Sequence, residues 1–185
     1  LHGQGVYADG DFRFTQGGCR PASLAALGPL ARDVRARVCP ARGPLFAFGP
    51  QGWRFEAEAR GASGFLPLAN AELSDGAALL SFSSTGGLSG AMTLRAATLS
   101  DKAASARFNP LEGAGAITLA NGVWRGRVNA HDGGGTQLGV ATFQHDMAKG
   151  EGSAHVDAPL IFAEGKLQPE RLSPLLSLLK QAAGP

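Results

Sequence analysis

The residues best suited to chemistry are three histidine and aspartate pairs in the second half of the chain. These are His131-Asp132, His145-Asp146 and His155-Asp157. If their strands were adjacent, the three imidazoles could converge on a metal ion. However, His131 and His145 lie beside turn residues, and His155 falls on the polar side of an alternating run. These positions favour solvated side chains, so we predict neither a metal site nor a catalytic residue here.

The serine, glycine and glutamate motifs do not indicate an enzyme. The segments GASG (61–64) and GLSG (87–90) lack the Gly-x-Ser-x-Gly spacing of a nucleophile elbow. The glycines at 133–135 precede a strand-like run instead of the helix that a phosphate loop requires. Glu56 and Glu58 are flanked by arginines, which is typical of a solvated sheet face. We therefore predict that the chain is not an enzyme and uses no cofactor.

Composition excludes further classes of protein. The formal net charge is only +2 over 185 residues, and no run of Lys and Arg is dense enough to follow phosphates, which argues against a nucleic-acid partner. The 27 glycines are roughly twice the usual share of about 7% and fall between apolar segments, so we interpret them as turns and bulges. No apolar run approaches the roughly 20 residues that span a bilayer.

Cys19 and Cys39 are the only cysteines, in the contexts GGCRP and RVCPA. A structural zinc site requires a third and a fourth ligand at conventional spacing, and the sequence lacks them. We expect a disulfide that closes the segment 19–39 and contributes roughly 3 kcal/mol, with two free buried thiols as the alternative. A disulfide would place the chain in an oxidising compartment such as a bacterial periplasm.

The clearest structural pattern is a strand meander over residues 114–162. Asn121-Gly122 is its anchor, because this pair suits a two-residue turn with positive φ at both centres. With that turn, Leu119 faces Trp124, Ile117 faces Gly126 and Gly115 faces Val128. Neighbours along a strand alternate, so one face is apolar and the other carries Arg125 and Arg127.

Strands with turn signals between them recur every 10 to 15 residues along the rest of the chain. We predict a hairpin over Gly5–Thr15 turning at Asp9-Gly10, a short strand in LFAF, and strands over Asp33–Cys39, Trp53–Arg60, Phe65–Leu73, Ala77–Ser84, Leu88–Leu99 and Ala103–Phe108. Asp75-Gly76 and Gly86-Gly87 are expected to be turns. Ser173-Pro174 and the following leucines predict a short helix over 173–182. The fold class is therefore all-β, organised as one continuous unit over 1–185 that looks like a piece of a longer protein.

Alternation gathers the large apolar side chains on one face. The residues predicted to line it are Trp53, Phe55, Leu80, Phe82, Met92, Leu94, Phe108, Ile117, Leu119, Trp124, Val128, Val156 and Leu160. Many inward positions are small, for example Ala57, Gly90, Gly115 and Gly126. Small residues would leave open volume that a close-packed interior avoids. We predict an extended, twisted, mostly antiparallel sheet curled into an open groove; the closed core of a sandwich or barrel is the alternative.

Two runs resemble a known family. The sequence ARFNPLEGAGAITLANGVWRGRV (106–128), followed by a glycine-turn strand and APLIFAEGKLQPERLSPLL (158–176), is similar to the YdbH-like proteins of the AsmA and TamB group. The cysteine pair followed by GPLFAFG (43–49) and an alternating strand resembles their upstream part. The resemblance implies a taco-shaped periplasmic β-groove that shields phospholipid tails between the inner and outer membranes.

The resemblance also implies partners and a location. The ligand would be phospholipid, the anchor in the inner membrane would lie outside this segment, and other envelope proteins could bind its ends. The family has no catalytic motif to transfer. The alternative function is a structural or adhesive β-solenoid or sandwich with a closed core and no ligand; a small-ligand barrel is a further possibility.

Overall fold

One open antiparallel sheet makes up the regular structure of the residues that the structure describes. The computed structural model describes residues 3–27, 31–67 and 69–158, in which twelve strands join a single sheet that does not close. This part of the chain contains no helix, and therefore none with the length and apolarity to cross a bilayer. The predicted all-β fold with an open sheet is confirmed. The predicted helix over 173–182 and Leu160 lie outside the described residues.

The first six strands form a forked half of the sheet. They are β1 (Gly3–Ala8), β2 (Asp11–Gln16), β3 (Arg20–Leu27), β4 (Ala31–Pro40), β5 (Phe46–Gly49) and β6 (Gly52–Leu66). The long strand β6 shares one edge between two partners, because its residues 52–55 pair with β5 and its residues 57–65 pair with β4. One arm of the fork continues from β5 to β2 and β1, and the other continues from β4 to β3.

The remaining six strands form a simple meander on the other edge of β6. They are β7 (Ala71–Ser83), β8 (Ser89–Asp101), β9 (Leu111–Ala120), β10 (Val123–Asp132), β11 (Gln137–Asp146) and β12 (Glu151–Asp157). Each pairs with the next in antiparallel register. The predicted meander over 114–162 is thus present as β9 to β12 as far as residue 157.

The two strongest turn signals form as predicted. Asn121 and Gly122 have φ of 52° and 74°, and the register pairs Leu119 with Trp124 as expected. Asp9 and Gly10 have φ of 53° and 83° between β1 and β2. Positive φ at both central positions matches the twist of the flanking strands, which explains why these dipeptides determine register.

The disulfide between Cys19 and Cys39 is present and joins the residue that precedes β3 to the end of its hydrogen-bonded neighbour β4, within one arm of the fork. Cys39 is buried at the end of β4, and Cys19 follows β2. Beside it, the side chain of Gln16 is only 2% exposed, and its Nε2 donates to the carbonyls of Gly18 (2.9 Å) and Val38 (2.8 Å). The hydrogen bond to Val38 holds β2 against β4, which are not paired strands.

Register shifts in four neighbouring strands lie side by side across the sheet. They fall at 32–37 in β4, 59–64 in β6, 74–78 in β7 and 94–97 in β8. Positive φ at Asp33 (52°), Gly61 (58°) and Asp75 (53°) marks them as bulges. Bulges bend a strand and increase its twist. A line of them therefore bends the sheet along one transverse axis, which we call the bulge line.

Three local predictions are wrong, and the bulge line explains the first. Asp75-Gly76 was expected to turn the chain, but it is a bulge inside β7. An Asp-Gly pair supplies the positive φ that both features need, and pairing with β6 and β8 determines which one forms.

The other two wrong predictions placed strands where the chain turns. The strand expected over Phe65–Leu73 is interrupted after β6, where the N–H of Asn70 donates to the carbonyl of Pro67 (3.1 Å). The strand expected over Ala103–Phe108 is a loop, because the carboxylate of Asp101 accepts from the backbone N–H groups of Ala103 and Arg107.

Candidate functional site

The candidate site is one face of the sheet, which we call the apolar face, where side chains form rows across the strands. Cross-strand partners share a face. One row contains Phe14, Phe46, Phe55, Phe82, Gly90, Leu119 and Trp124. The next contains Ala57, Leu80, Met92, Ile117, Gly126, Phe143 and Ala154. A third contains Val38, Ala59, Ala78, Leu94, Gly115, Val128, Ala141 and Val156.

Most of the predicted lining residues share this face. Ten of them are members of the three rows, and Trp53 lies two residues before Phe55 on β6, paired with Phe48. Phe108 is different, because it lies in the loop between β8 and β9, where the Arg107 guanidinium carbon is 5.8 Å from its ring centroid. Phe108 therefore belongs to none of the rows.

The small residues of the apolar face do not leave the open volume that we expected. At Gly126 the Cε1 and Cζ atoms of Phe143 occupy the place of a Cβ, and the ring of Phe82 does the same at Gly90. Ala57 is fully buried, and Ala59 is 8% exposed. The small side chains thus let neighbouring phenyl rings lie flat on the backbone, a packing known to stabilise glycine in strands. The small residues therefore make the apolar face flatter and do not create a cavity in it.

Aromatic side chains are concentrated at the end of the apolar face formed by β1, β2 and β5. Tyr7, Phe12, Phe48 and Trp53 form an additional row beyond the first, next to the four phenylalanines of that row. The rings of Phe46 and Trp53 stack with centroids 6.3 Å apart and planes at 22°. Phe48 is 54% exposed and Tyr7 is 74% exposed. This aromatic end is an apolar surface that water reaches.

Sequence patterns missed two parts of the apolar face. The aromatic end depends on the pairing of β2 with β5, two strands separated by the whole of β3 and β4, and no local signal encodes that pairing. Phe143 was also missed, although the register could have revealed it: it alternates with Ala141 in β11 and lies opposite Gly126.

The opposite face, which we call the polar face, carries charges in compensating contacts. Glu58 Oε2 is 2.6 Å from Arg60 Nη2, and Glu58 Oε1 is 2.9 Å from Arg95 Nη1. The hydrogen bond from Arg60, with a smaller contribution from Arg95, lowers the pKa of Glu58, while partial burial opposes the shift. Glu58 therefore stays ionised and links β6 to β8.

A second charged contact fixes the loop between β8 and β9. Arg107 donates from Nη2 to Asp101 Oδ1 (2.7 Å) and to the carbonyl of Ala69 (2.5 Å), beyond the end of β6. The Asp101 side chain is 2% exposed, and the hydrogen bonds from Arg107 hold its pKa well below its usual range. These contacts act as a structural clamp between two loops and place no reactive group in a cleft.

The histidines do not converge. His145 lies opposite Trp124 on the apolar face, His155 lies opposite Thr142 on the other face, and His131 is paired with Glu112 at the far end of β10. Within the described ranges, no group of three His, Cys, Asp or Glu side chains could hold a metal ion. The three histidines of this part of the chain are therefore spread over an extended sheet surface.

Comparisons with known proteins add no relative. No family model matches the chain, and neither a curated protein nor a solved structure is significantly similar to it. What the structure defines is a class of architecture: an open, single-layered antiparallel sheet with one apolar and one charged face and a disulfide.

Proposed function

We propose that the chain is a segment of a periplasmic, bridge-like protein that carries phospholipid acyl chains along the apolar face between the inner and outer membranes. The observation that carries this proposal is the continuity of the apolar rows. The second and third rows pass through every strand from β6 to β12 without a charged side chain. All the described strands belong to one sheet, so no second β layer among them covers these rows.

The dimensions of the rows suit acyl chains. Neighbouring strands are about 4.8 Å apart, so seven strands extend over about 29 Å. The hydrocarbon core of a bilayer is about 30 Å thick and accommodates two acyl chains end to end. Each methylene removed from water contributes about 0.8 kcal/mol of favourable free energy. An acyl tail that moves from a bilayer onto an apolar face of this length stays largely out of water and keeps much of that free energy. Transfer along the face can therefore be passive.

The apolar face and the polar face have different roles in this mechanism. Acyl tails contact the apolar rows, the phospholipid head groups stay in water at the open side, and the arginines and glutamates of the polar face keep the exterior soluble. The disulfide is compatible with an oxidising compartment, which supports the periplasm as the location. Anchoring in the inner membrane and contacts with other envelope proteins would involve regions outside this segment.

Lipid capture tests the proposal. The protein is produced in a bacterial periplasm, purified, and examined by native mass spectrometry for bound phospholipid. Trp124→Glu places a charge in the first row and is expected to reduce the lipid-bound fraction at least tenfold, because a buried carboxylate is strongly disfavoured beside acyl chains. Thr118→Glu is the matched control: it lies on β9 opposite Arg125 on the polar face and is expected to keep the lipid.

A structural or adhesive scaffold that binds no ligand is a second candidate, favoured by the rings of Phe82 and Phe143 that cover the glycines; the closed core expected of it is not present in the described strands. The scaffold and the lipid-carrying protein are expected to give different results in the mass spectrometry experiment. A lipid-free mass for the unaltered protein, or equal lipid binding by the Trp124 and Thr118 variants, would leave the scaffold as the better interpretation.

A further inference from the structure

Four arginines and one glutamate lie on the polar face near the pairing of β4 with β6: Arg35 and Arg37 on β4, Glu58 and Arg60 on β6, and Arg95 on β8. Arg37 of β4 lies directly opposite Arg60 of β6, and Arg35 precedes it on the same face. Arg60 and Arg95 both bind Glu58, at 2.6 Å and 2.9 Å. Because all four guanidinium groups carry a charge at every physiological pH, this arginine cluster has a clear excess of positive charge.

The excess is not neutralised within the part of the chain that the structure describes. Glu58 is engaged by two guanidinium groups, and neither Arg35 nor Arg37 forms an ion pair there. Asp33 and Glu72 border a neighbouring depression that Arg35 also lines, but Glu72 binds Lys102. Like charges directly opposite each other on adjacent strands are destabilising. The pair of Arg37 and Arg60 is therefore an arrangement that an added anion would stabilise.

The cluster borders a depression with room for a ligand. Arg35, Arg37 and Arg60 line a volume of about 590 Å³ together with Ser23 of β3 and Gly61 of β6. Gly61 has φ of 58° at the bulge, and no atom lies within 4 Å of the place where its Cβ would be. The backbone at Gly61 is thus open to a compact group that enters the depression beside the arginines, and Pro21, Ala22 and Ala36 complete the lining.

We propose that this depression binds a phosphate ester group. Guanidinium groups bind phosphate oxygens in a planar, bidentate manner, and the charge of a phosphate matches several arginines better than a single carboxylate does. Ser23, paired with Arg35 across β3 and β4, adds a hydroxyl donor at the rim. The proposal does not rest on lipid transport, because this site and the apolar rows lie on opposite faces of the sheet.

The test compares two double variants that remove the same charge from the same face. Arg35→Gln with Arg37→Gln removes the unpaired half of the cluster. Arg125→Gln with Arg127→Gln is the control, on β10 and therefore distant from the depression. Inorganic phosphate is titrated against each protein by NMR at matched ionic strength, with chloride as the reference anion. Charge-assisted hydrogen bonds predict that the affinity for phosphate falls about tenfold for each guanidinium group removed from the site.

Loss of phosphate binding in the Arg35 and Arg37 variant alone, with a melting temperature that is not lowered, supports the site. Binding of the protein to vesicles of phosphatidylglycerol, compared with vesicles of phosphatidylcholine, then identifies the source of the phosphate ester. If the vesicles retain the protein and inorganic phosphate displaces it, the ester is a lipid head group. If the protein binds inorganic phosphate but not the vesicles, the ester is a soluble molecule. Absence of phosphate binding by the unaltered protein, or equal losses in both double variants, overturns the proposal.

Discussion

Replacing Gly126 by alanine tests how the apolar face is packed. The new Cβ would collide with the Cε1 and Cζ atoms of the Phe143 ring, so the ring would have to move off the backbone. Overpacking of this kind costs about 1–3 kcal/mol. The lower entropy of alanine in the unfolded chain returns about 0.4–1 kcal/mol. We therefore expect Gly126→Ala to destabilise the protein by about 1–2 kcal/mol.

The partner substitution Phe143→Ala makes the expectation specific. Truncation of a buried phenylalanine costs about 3–5 kcal/mol, and the half-buried ring of Phe143 should lose about 2 kcal/mol. Without the ring, the three atoms nearest to the new Cβ are gone, so the favourable effect of alanine on the unfolded chain should dominate. A double-mutant cycle should therefore show a coupling of about 2 kcal/mol between the two sites.

Urea unfolding of the four proteins measures the cycle. Gly113→Ala serves as a control in β9, because its Cβ would come no closer than 3.3 Å to any neighbour, the nearest atom being Val128 Cγ1, and it should change stability by less than about 0.5 kcal/mol. Additivity of Gly126→Ala and Phe143→Ala within about 0.5 kcal/mol would show that the ring does not cover the glycine. The role assigned to the small residues would then be wrong.

Two further predictions concern the disulfide and the loop clamp. Replacing Cys19 and Cys39 together by alanine should lower the free energy of unfolding by about 3 kcal/mol, since the bond spans 20 residues of chain, and an unchanged urea midpoint would contradict this. The lowered pKa of Asp101 means that its charge stabilises the fold above the unfolded pKa of about 3.9 and that this stabilisation is lost as the pH falls further. Asp101→Asn should accordingly be less stable than the unaltered protein at neutral pH, with a difference that shrinks below about pH 4; a difference independent of pH would refute the assignment.

Local chemistry was sufficient to predict the hairpins of the sheet. At Asn121 and at Asp9 the turn dipeptide determines which residues lie opposite each other, so the sequence alone predicts the apolar face of β9 and β10. Alternation in Trp53–Arg60 likewise identified the two faces of β6. These features depend on residues close together in the chain, where steric preference and register coincide.

Pairing between distant strands could not be predicted in the same way. The fork at β6 brings β4 and β5 to one edge, and no turn dipeptide of the kind found at Asn121 specifies that pairing. The bulge at Asp75 shows the same limit, because an identical dipeptide makes a turn at Asp9. The arginine cluster could not be predicted either, because Arg37 and Arg60 lie opposite each other only when β4 pairs with β6.

An unclosed sheet has a consequence for how such a molecule can vary. In the meander from β7 to β12 each hairpin contacts only its neighbours, so another hairpin would add about 10 Å of width and leave the earlier ones undisturbed. The width of the sheet is then set by how many hairpins a gene encodes. The chemistry of each face is set by which residues occupy alternate positions along the strands. Duplication and point substitution can act on these two properties separately, as in other modular proteins in which stability accumulates from one unit to the next.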